Sequence, residues 1–314
     1  MYYLGIDLGG TNIAVGLVNE ELTIVAKDSL PTPANDPVSI ADTMAVLCRR
    51  LVAQKGISFE DVAYAGIACP GIVDRANGEV IYANNINFDH FPLSRLLSER
   101  IPLKAVYLEN DANAAALGEV KAGGARGARN SIMITLGTGV GGGIIINGQV
   151  YMGFNCTGGE LGHMVIEKNG VPCTCGRRGC FEAYSSATGL VRMTREKMEK
   201  HPESLMHELV RRCGKVSGRT AFDADRAGDA AGSEVVSEYV SYLACGIVNL
   251  INIFQPEILV IGGGVCNERE NLLSRLYPLV KKDTYGSGLV PATDLKIAEL
   301  GNDAGIIGAA CLGL

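Results

Sequence analysis

Apolar positions recur along this chain in two rhythms. Ile40, Met44, Leu47 and Leu51 fall at helical spacing and predict a helix over residues 39–55. Val236, Val240, Leu243, Ile247, Ile251 and Phe254 make a longer stripe, predicting a helix over 233–254 that stops before Pro256. Short apolar runs predict strands at 62–68, 105–108, 258–261 and 295–298. Weaker helical patterns cover 93–100, 112–122, 187–200, a stretch reaching about residue 281 and 305–314; Gly123-Gly124 terminates the second of these. Strands alternating with helices predict an α/β protein with covered sheets.

A faint repeat underlies this pattern. Ile6-Asp7-Leu8-Gly9-Gly10-Thr11, followed by an apolar strand ending at Asn19, resembles Ile134-Thr135-Leu136-Gly137-Thr138-Gly139, followed by one ending at Asn147. The offset is constant, since 134 minus 6 and 147 minus 19 both give 128. Each copy reads as strand, glycine turn, strand, and a broad glycine turn presents several backbone N–H groups together as a cradle for an anion. Matching order, length and offset favour duplication over chance likeness of glycine-rich hairpins.

The segment from Gly158 to Ser185 carries a different chemistry. It gathers His163, Cys173, Cys175 and Cys180, a set of thiolates and imidazole suited to tetrahedral zinc. Gly176 and Gly179 allow tight turning between Cys175 and Cys180. Four protein ligands leave no open position for water, so such a zinc is structural. Glu160 and Glu182 flank the cluster, and a metal here holds the two acids in a fixed relation.

The 314 residues suggest two domains, and a hydrophobic share of 47% with mean hydropathy +0.17 supplies ample core. A net charge of -6 with no Lys/Arg-rich block excludes nucleic acid and anionic membranes as expected partners. The start, MYYLGIDLGG, lacks the features of a signal peptide, and no uninterrupted apolar run approaches the roughly 18 residues of a spanning helix. Ten cysteines in that context predict reduced thiols and a cytoplasmic location, with Cys48, Cys69, Cys156, Cys213, Cys245, Cys266 and Cys311 as core.

The ordered series DLGGTN (7–12), CPG (69–71), ENDANAAALGE (109–119), LGTGVGGGIIING (136–148), GELGHM (159–164), CTCGRRGCFEAYS (173–185) and IGGGV (261–265) resembles the sugar kinases of the ROK family, within the actin-like ATPase superfamily. The resemblance spans essentially the whole chain. It implies two actin-like (ribonuclease H-like) α/β domains around a cleft, 1–111 plus 300–314 and 112–299, with the zinc loop in the second. It also implies ATP, Mg2+ and a hexose as ligands, and a homodimer or homotetramer. Repressors of the family carry an N-terminal helix-turn-helix, whereas the first glycine hairpin begins here at Leu4, which favours an enzyme.

Phosphoryl transfer needs a phosphate cradle, magnesium and a group that orients the attacking hydroxyl. Gly9, Gly10, Thr11 and Asn12 are expected on one side of the nucleotide, Thr138 and Gly139 on the other, and Gly262, Gly263 and Gly264 beside the adenosine. Asp7 is expected to hold magnesium through a water. Asp111, between a predicted strand and helix, is the expected general base, with a capping aspartate as the plainer alternative. Asn110, Glu160, His163 and Glu182, completed by Gly71 and Asn85, are expected around the sugar, His163 serving zinc with one ring nitrogen and sugar with the other. After Asn85 this chain reads Ile86-Asn87-Phe88, where many relatives have a Pro-Gly-Trp-like turn. The expected reaction is formation of glucose 6-phosphate; kinases of N-acetylhexosamine, fructose or allose, and a non-catalytic sugar sensor, are the alternatives.

Overall fold

The computed structural model describes residues 1–34, 36–83 and 86–314. The chain opens with antiparallel strands β1 (Tyr2–Leu8), β2 (Asn12–Asn19) and β3 (Ile24–Pro31). In α1 (Pro37–Lys55), Pro37 occupies the first turn, where no N–H partner is needed. The Asp36 carboxylate caps this helix by accepting the Val38 and Ser39 N–H groups. Next come β4 (Val62–Cys69) and a small antiparallel sheet of β5 (Ile72–Asp74), β6 (Glu79–Tyr82) and β7 (Asp89–Phe91). Then follow α2 (Leu93–Ser98), β8 (Val106–Asn110) and α3 (Asp111–Ala122). The first large sheet runs β3-β2-β1-β4-β8, with β4 parallel to both β1 and β8.

The same plan returns with β9 (Ser131–Leu136), β10 (Val140–Ile146) and β11 (Gln149–Val150). Helices α4 (Phe181–Ser185), α5 (Ala187–Lys200), α6 (Met206–Cys213), α7 (Thr220–Arg226) and α8 (Ala230–Phe254) lead to β12 (Ile258–Gly262). The chain ends with α9 (Glu270–Asp283), β13 (Asp294–Ile297) and α10 (Ala304–Ala310). The second sheet runs β11-β10-β9-β12-β13, so both large sheets read third, second, first, fourth, fifth strand. The hairpin edges keep the sequence offset: 136 minus 8 and 140 minus 12 both give 128.

Two compact units result: Met1–Met133 with Gly143–Gly159 and Glu299–Leu314, and Ile134–Gly142 with Glu160–Ala298. In the first, alternate residues Leu4, Ile6 and Leu8 of β1 and Ile13, Val15 and Leu17 of β2 join Ile40, Met44, Leu47 and Leu51 of α1 in one buried cluster. α10 lies directly on the backbone of β1: a Cβ on Gly5 would stand 2.0 Å from the Ile306 carbonyl oxygen. In the second unit α4, α5, α7 and α9 pack around α8. α8 has the length and composition of a membrane-spanning helix, with mean hydropathy 1.3, but 56% of that apolar window is buried within the protein, as in a core helix.

Several elements depart from the pattern-based expectation. β3 is half-exposed along its length, so its residues give no clear apolar rhythm. β5, β6 and β7 are too short to show a period, and α6 buries only Met206. Cys213 and Cys245 are exposed, and Cys156 and Cys266 half-exposed, so only Cys48, Cys69 and Cys311 of the seven meet the expectation of a core. Cys213 ends an amphipathic helix and Cys245 lies off the buried stripe of α8.

Candidate functional site

The first unit presents one glycine turn between β1 and β2. Gly9 N–H donates to the Asn12 carbonyl at 2.9 Å. Thr32 ties the turn back, its hydroxyl donating to Gly9 O at 2.7 Å and its N–H to Thr11 O at 2.9 Å. Gly10, Thr11 and Asn12 stand exposed at the tip. Just before it, burial pushes the Asp7 carboxyl up to about 6; the nearby Asp111 charge adds to the rise and Lys27 opposes it.

Asp111 opens α3, one residue after β8 ends, but it is not the cap of that helix. Asn110 is: its Oδ1 accepts the N–H groups of Ala112 at 2.9 Å and Asn113 at 3.2 Å. Its Nδ2 donates to Gly71 O at 3.1 Å, so the amide expected on a sugar hydroxyl is largely engaged within the chain. Gly71 has φ +99°, and a Cβ there would stand 2.0 Å from Tyr82 O, so glycine is required for this backbone to approach. Asp111 is exposed, and its Oδ1 accepts the Ala112 N–H at 2.8 Å. Asn85 lies outside the described residues.

In the second unit the other glycine turn is tied down in the same manner. Thr188 donates its hydroxyl to Thr138 O at 2.8 Å, and Ala187 N–H donates to Gly137 O at 2.8 Å, both from the start of α5. Gly263, φ +85°, packs backbone to backbone on Leu136, where a Cβ would stand 2.5 Å from the Leu136 nitrogen; Gly262 ends β12 and Gly264 is open. Glu182, in α4, places Oε2 2.9 Å from Val140 N.

The ligand atoms of His163, Cys173, Cys175 and Cys180 all lie within 4.8 Å of one another. Cys175 Sγ is 3.7 Å from Cys180 Sγ, and Cys173 Sγ 3.8 Å from His163 Nδ1. A tetrahedral zinc with Zn–S near 2.3 Å requires Sγ–Sγ edges of about 3.8 Å, so the donor set fits the metal. Gly179 is needed in this loop, since a Cβ would stand 1.7 Å from Glu167 O. Glu160 is exposed, immediately before the single 3-10 turn Leu161–His163.

The ROK family sequence model matches residues 3–314. The chain belongs to the ROK family. It is 39% identical over 315 residues to the glucokinase of Thermotoga maritima, covering 98% of this chain and 96% of that one. It is 31% identical over 326 residues to an N-acetylgalactosamine kinase of Shewanella sp., covering 100% and 96%. Its fold matches that of a ROK glucokinase from Streptomyces griseus, solved in complex with glucose and AMPPNP, with TM-score 0.81, 34% identity and 99% coverage of both chains.

Within this ROK chain the structure brings His163 and the three cysteines together with Glu182, and sets Asn110, Asp111 and Gly71 side by side. Pattern reading misses Arg75, whose guanidinium reaches the buried carboxylate of Glu109 at 3.2 Å. No motif marks it, because its place depends on a turn between short strands.

Proposed function

We propose that this chain is an ATP-dependent hexose kinase that phosphorylates glucose at the 6-hydroxyl. The observation that carries the reading is the pair of glycine turns, one in each unit and each with one carbonyl tied back by a threonine hydroxyl, a turn geometry suited to phosphate. Full-length likeness to glucokinases supports glucose as the acceptor.

In this reading Gly9, Gly10, Thr11 and Asn12 serve the phosphates from the first unit, and Thr138 and Gly139 from the second. Gly262, Gly263 and Gly264 accept the adenosine. Asp7 would hold Mg2+, which when bound would neutralise charge developing on the phosphates. Asp111 accepts the proton of the sugar hydroxyl as the hydroxyl oxygen attacks the γ-phosphorus and the bond from that phosphorus to the β,γ-bridging oxygen breaks, releasing ADP. Asn110, Glu160, His163 and Glu182 orient the sugar, with Gly71 and Asn85 beside them. His163, Cys173, Cys175 and Cys180 hold a structural Zn2+. The chain acts on small molecules in the cytoplasm, as a homodimer or homotetramer.

A second reading, an N-acetylhexosamine kinase, draws on the likeness to the Shewanella enzyme and on Ile86-Asn87-Phe88 in place of the Pro-Gly-Trp-like turn. ADP release measured over a panel of hexoses separates the two. Glucose is expected to turn over best, and Asp111→Ala to lower kcat by about 10² to 10⁴ while ATP binding persists. Absence of turnover on every sugar overturns the kinase reading.

A further inference from the structure

Glu109 is the penultimate residue of β8, two positions before the proposed base, yet its side chain is only 2% exposed. Its Oε1 accepts the Asn110 backbone N–H at 2.9 Å and the Asn113 Nδ2–H at 3.1 Å. Its Oε2 has no hydrogen-bond partner among the described residues, but Arg75 Nη1 stands 3.2 Å away. Burial raises the Glu109 carboxyl, and Arg75 chiefly opposes the rise. Burying a carboxylate against a guanidinium that is itself 35% exposed is a poor way to gain stability, since desolvation of the acid offsets much of the attraction. What apolar residues cannot do is accept two N–H groups at the start of α3.

Arg75 is itself held. Asp74 organises its turn, accepting the N–H groups of Ala76 at 3.0 Å and Asn77 at 3.1 Å and the Asn77 side-chain amide at 2.8 Å. The guanidinium also reaches Met152 Sδ at 3.6 Å. Asn110 is thereby fixed from three sides: its N–H on Glu109, its Oδ1 on the first turn of α3 and its Nδ2 on Gly71. Asp111 follows directly.

We propose that Arg75 and Glu109 are a positioning pair for the kinase reaction, fixing the Asn110–Asp111 peptide and so the aim of the Asp111 carboxylate at the acceptor hydroxyl. Neither residue touches the sugar; Arg75 neutralises Glu109, and Glu109 holds the backbone of the site. The proposal rests on the reading of Asp111 as the base.

The test compares full-length, zinc-loaded Arg75→Met, Arg75→Lys, Glu109→Ala, Glu109→Gln and Asp111→Asn with the parent chain. Arg75→Met and Glu109→Ala are expected to lower kcat at saturating sugar and ATP by about 10- to 100-fold, the cost of a misaimed catalytic group, while KM for ATP stays within about twofold. Glu109→Gln is expected to recover most of the loss, because an amide oxygen still accepts both N–H groups. Wild-type kcat in folded Arg75→Met and Glu109→Ala overturns the proposal. Should Glu109→Ala not fold, the arginine variants decide: Arg75→Lys should fall between parent and Arg75→Met, and parental kcat in both overturns the pairing. Asp111→Asn isolates the underlying reading. If it alone keeps full kcat, the base assignment fails while the pair is still judged by its own kcat losses.

Discussion

Glu182 Oε2 accepts the backbone N–H of Val140 at 2.9 Å, so the acid that follows the cysteine loop is bonded to the strand leaving the second glycine turn. Its other oxygen lies 3.3 Å from the Thr174 hydroxyl and 3.7 Å from Cys173 Sγ. One carboxylate thus connects the His/Cys loop to the second glycine turn. Gly139 permits this, because a Cβ there would stand 2.3 Å from Glu182 Oε2. Glu182→Ala should leave the Val140 N–H, in a residue only 6% exposed, without its acceptor, at a cost of about 1–3 kcal/mol. KM for ATP should then rise together with KM for sugar, and Glu182→Gln, which keeps an acceptor oxygen, should restore the ATP term. Steady-state kinetics in both substrates check this; a rise for sugar alone removes the connection.

Cys175 is exposed while Cys180 is buried, so the four-ligand cluster is closed from the inside and reachable from solvent. Burial pushes the Cys180 thiol up to about 12, and metal must displace that proton to bind. Cys175→Ala should lose zinc, measured by metal analysis of the purified protein, and with it the fixed position of Glu182. Sugar turnover should fall in parallel, and chelator treatment of the parent chain should reproduce the loss. Full activity without bound metal would mean that the loop holds its shape unaided.

The Asp7 carboxyl, raised to about 6, gives a pH signature in the metal-free protein. A carboxyl whose folded pKa lies above its unfolded value favours the fold while protonated, and that contribution is lost as pH rises through about 6. The shift of about two units sets an upper bound near 3 kcal/mol. Asp7→Asn should therefore melt at higher temperature than the parent at pH 7 to 8, with the gap closing as pH falls toward 4. Mg2+ with nucleotide should raise the melting temperature of the parent and not of the variant. A gap that does not change with pH overturns the assignment of a half-buried carboxylate raised by its surroundings at this strand end.

The parts of this protein that were legible beforehand are those written in local pattern. The paired glycine hairpins announce themselves by composition and by an offset of 128, and the His/Cys cluster by residue type within eighteen positions. The stripe of α8 places its own buried face. The illegible parts are set by tertiary context. From sequence the cap candidate is Asp111, with Asn110 expected on the sugar, and only the backbone shows that Asn110 caps the helix. Arg75 sits in an ordinary polar turn; its meaning comes from Glu109, a residue 34 positions later that strand pairing of β4 with β8 brings alongside. Half-buried β3 and three-residue strands give too little periodicity to register.

The seat of α10 provides a stability test independent of catalysis. A Cβ on Gly308 would stand 1.7 Å from the Ala114 carbonyl oxygen and 2.4 Å from its carbon, both backbone atoms of α3. In an isolated helix, glycine to alanine gains about 0.5–1 kcal/mol. Here the overlap can be relieved only by separating α10 from α3, and overpacking of that kind costs about 1–3 kcal/mol or more. α10 also lies on Gly5 and Gly66 of β1 and β4, so any shift disturbs the sheet that carries Asp7. The steric cost should outweigh the helical gain: Gly308→Ala should move the urea midpoint to lower concentration with the slope unchanged. An unchanged or higher midpoint would mean that the two helices do not approach as closely as described.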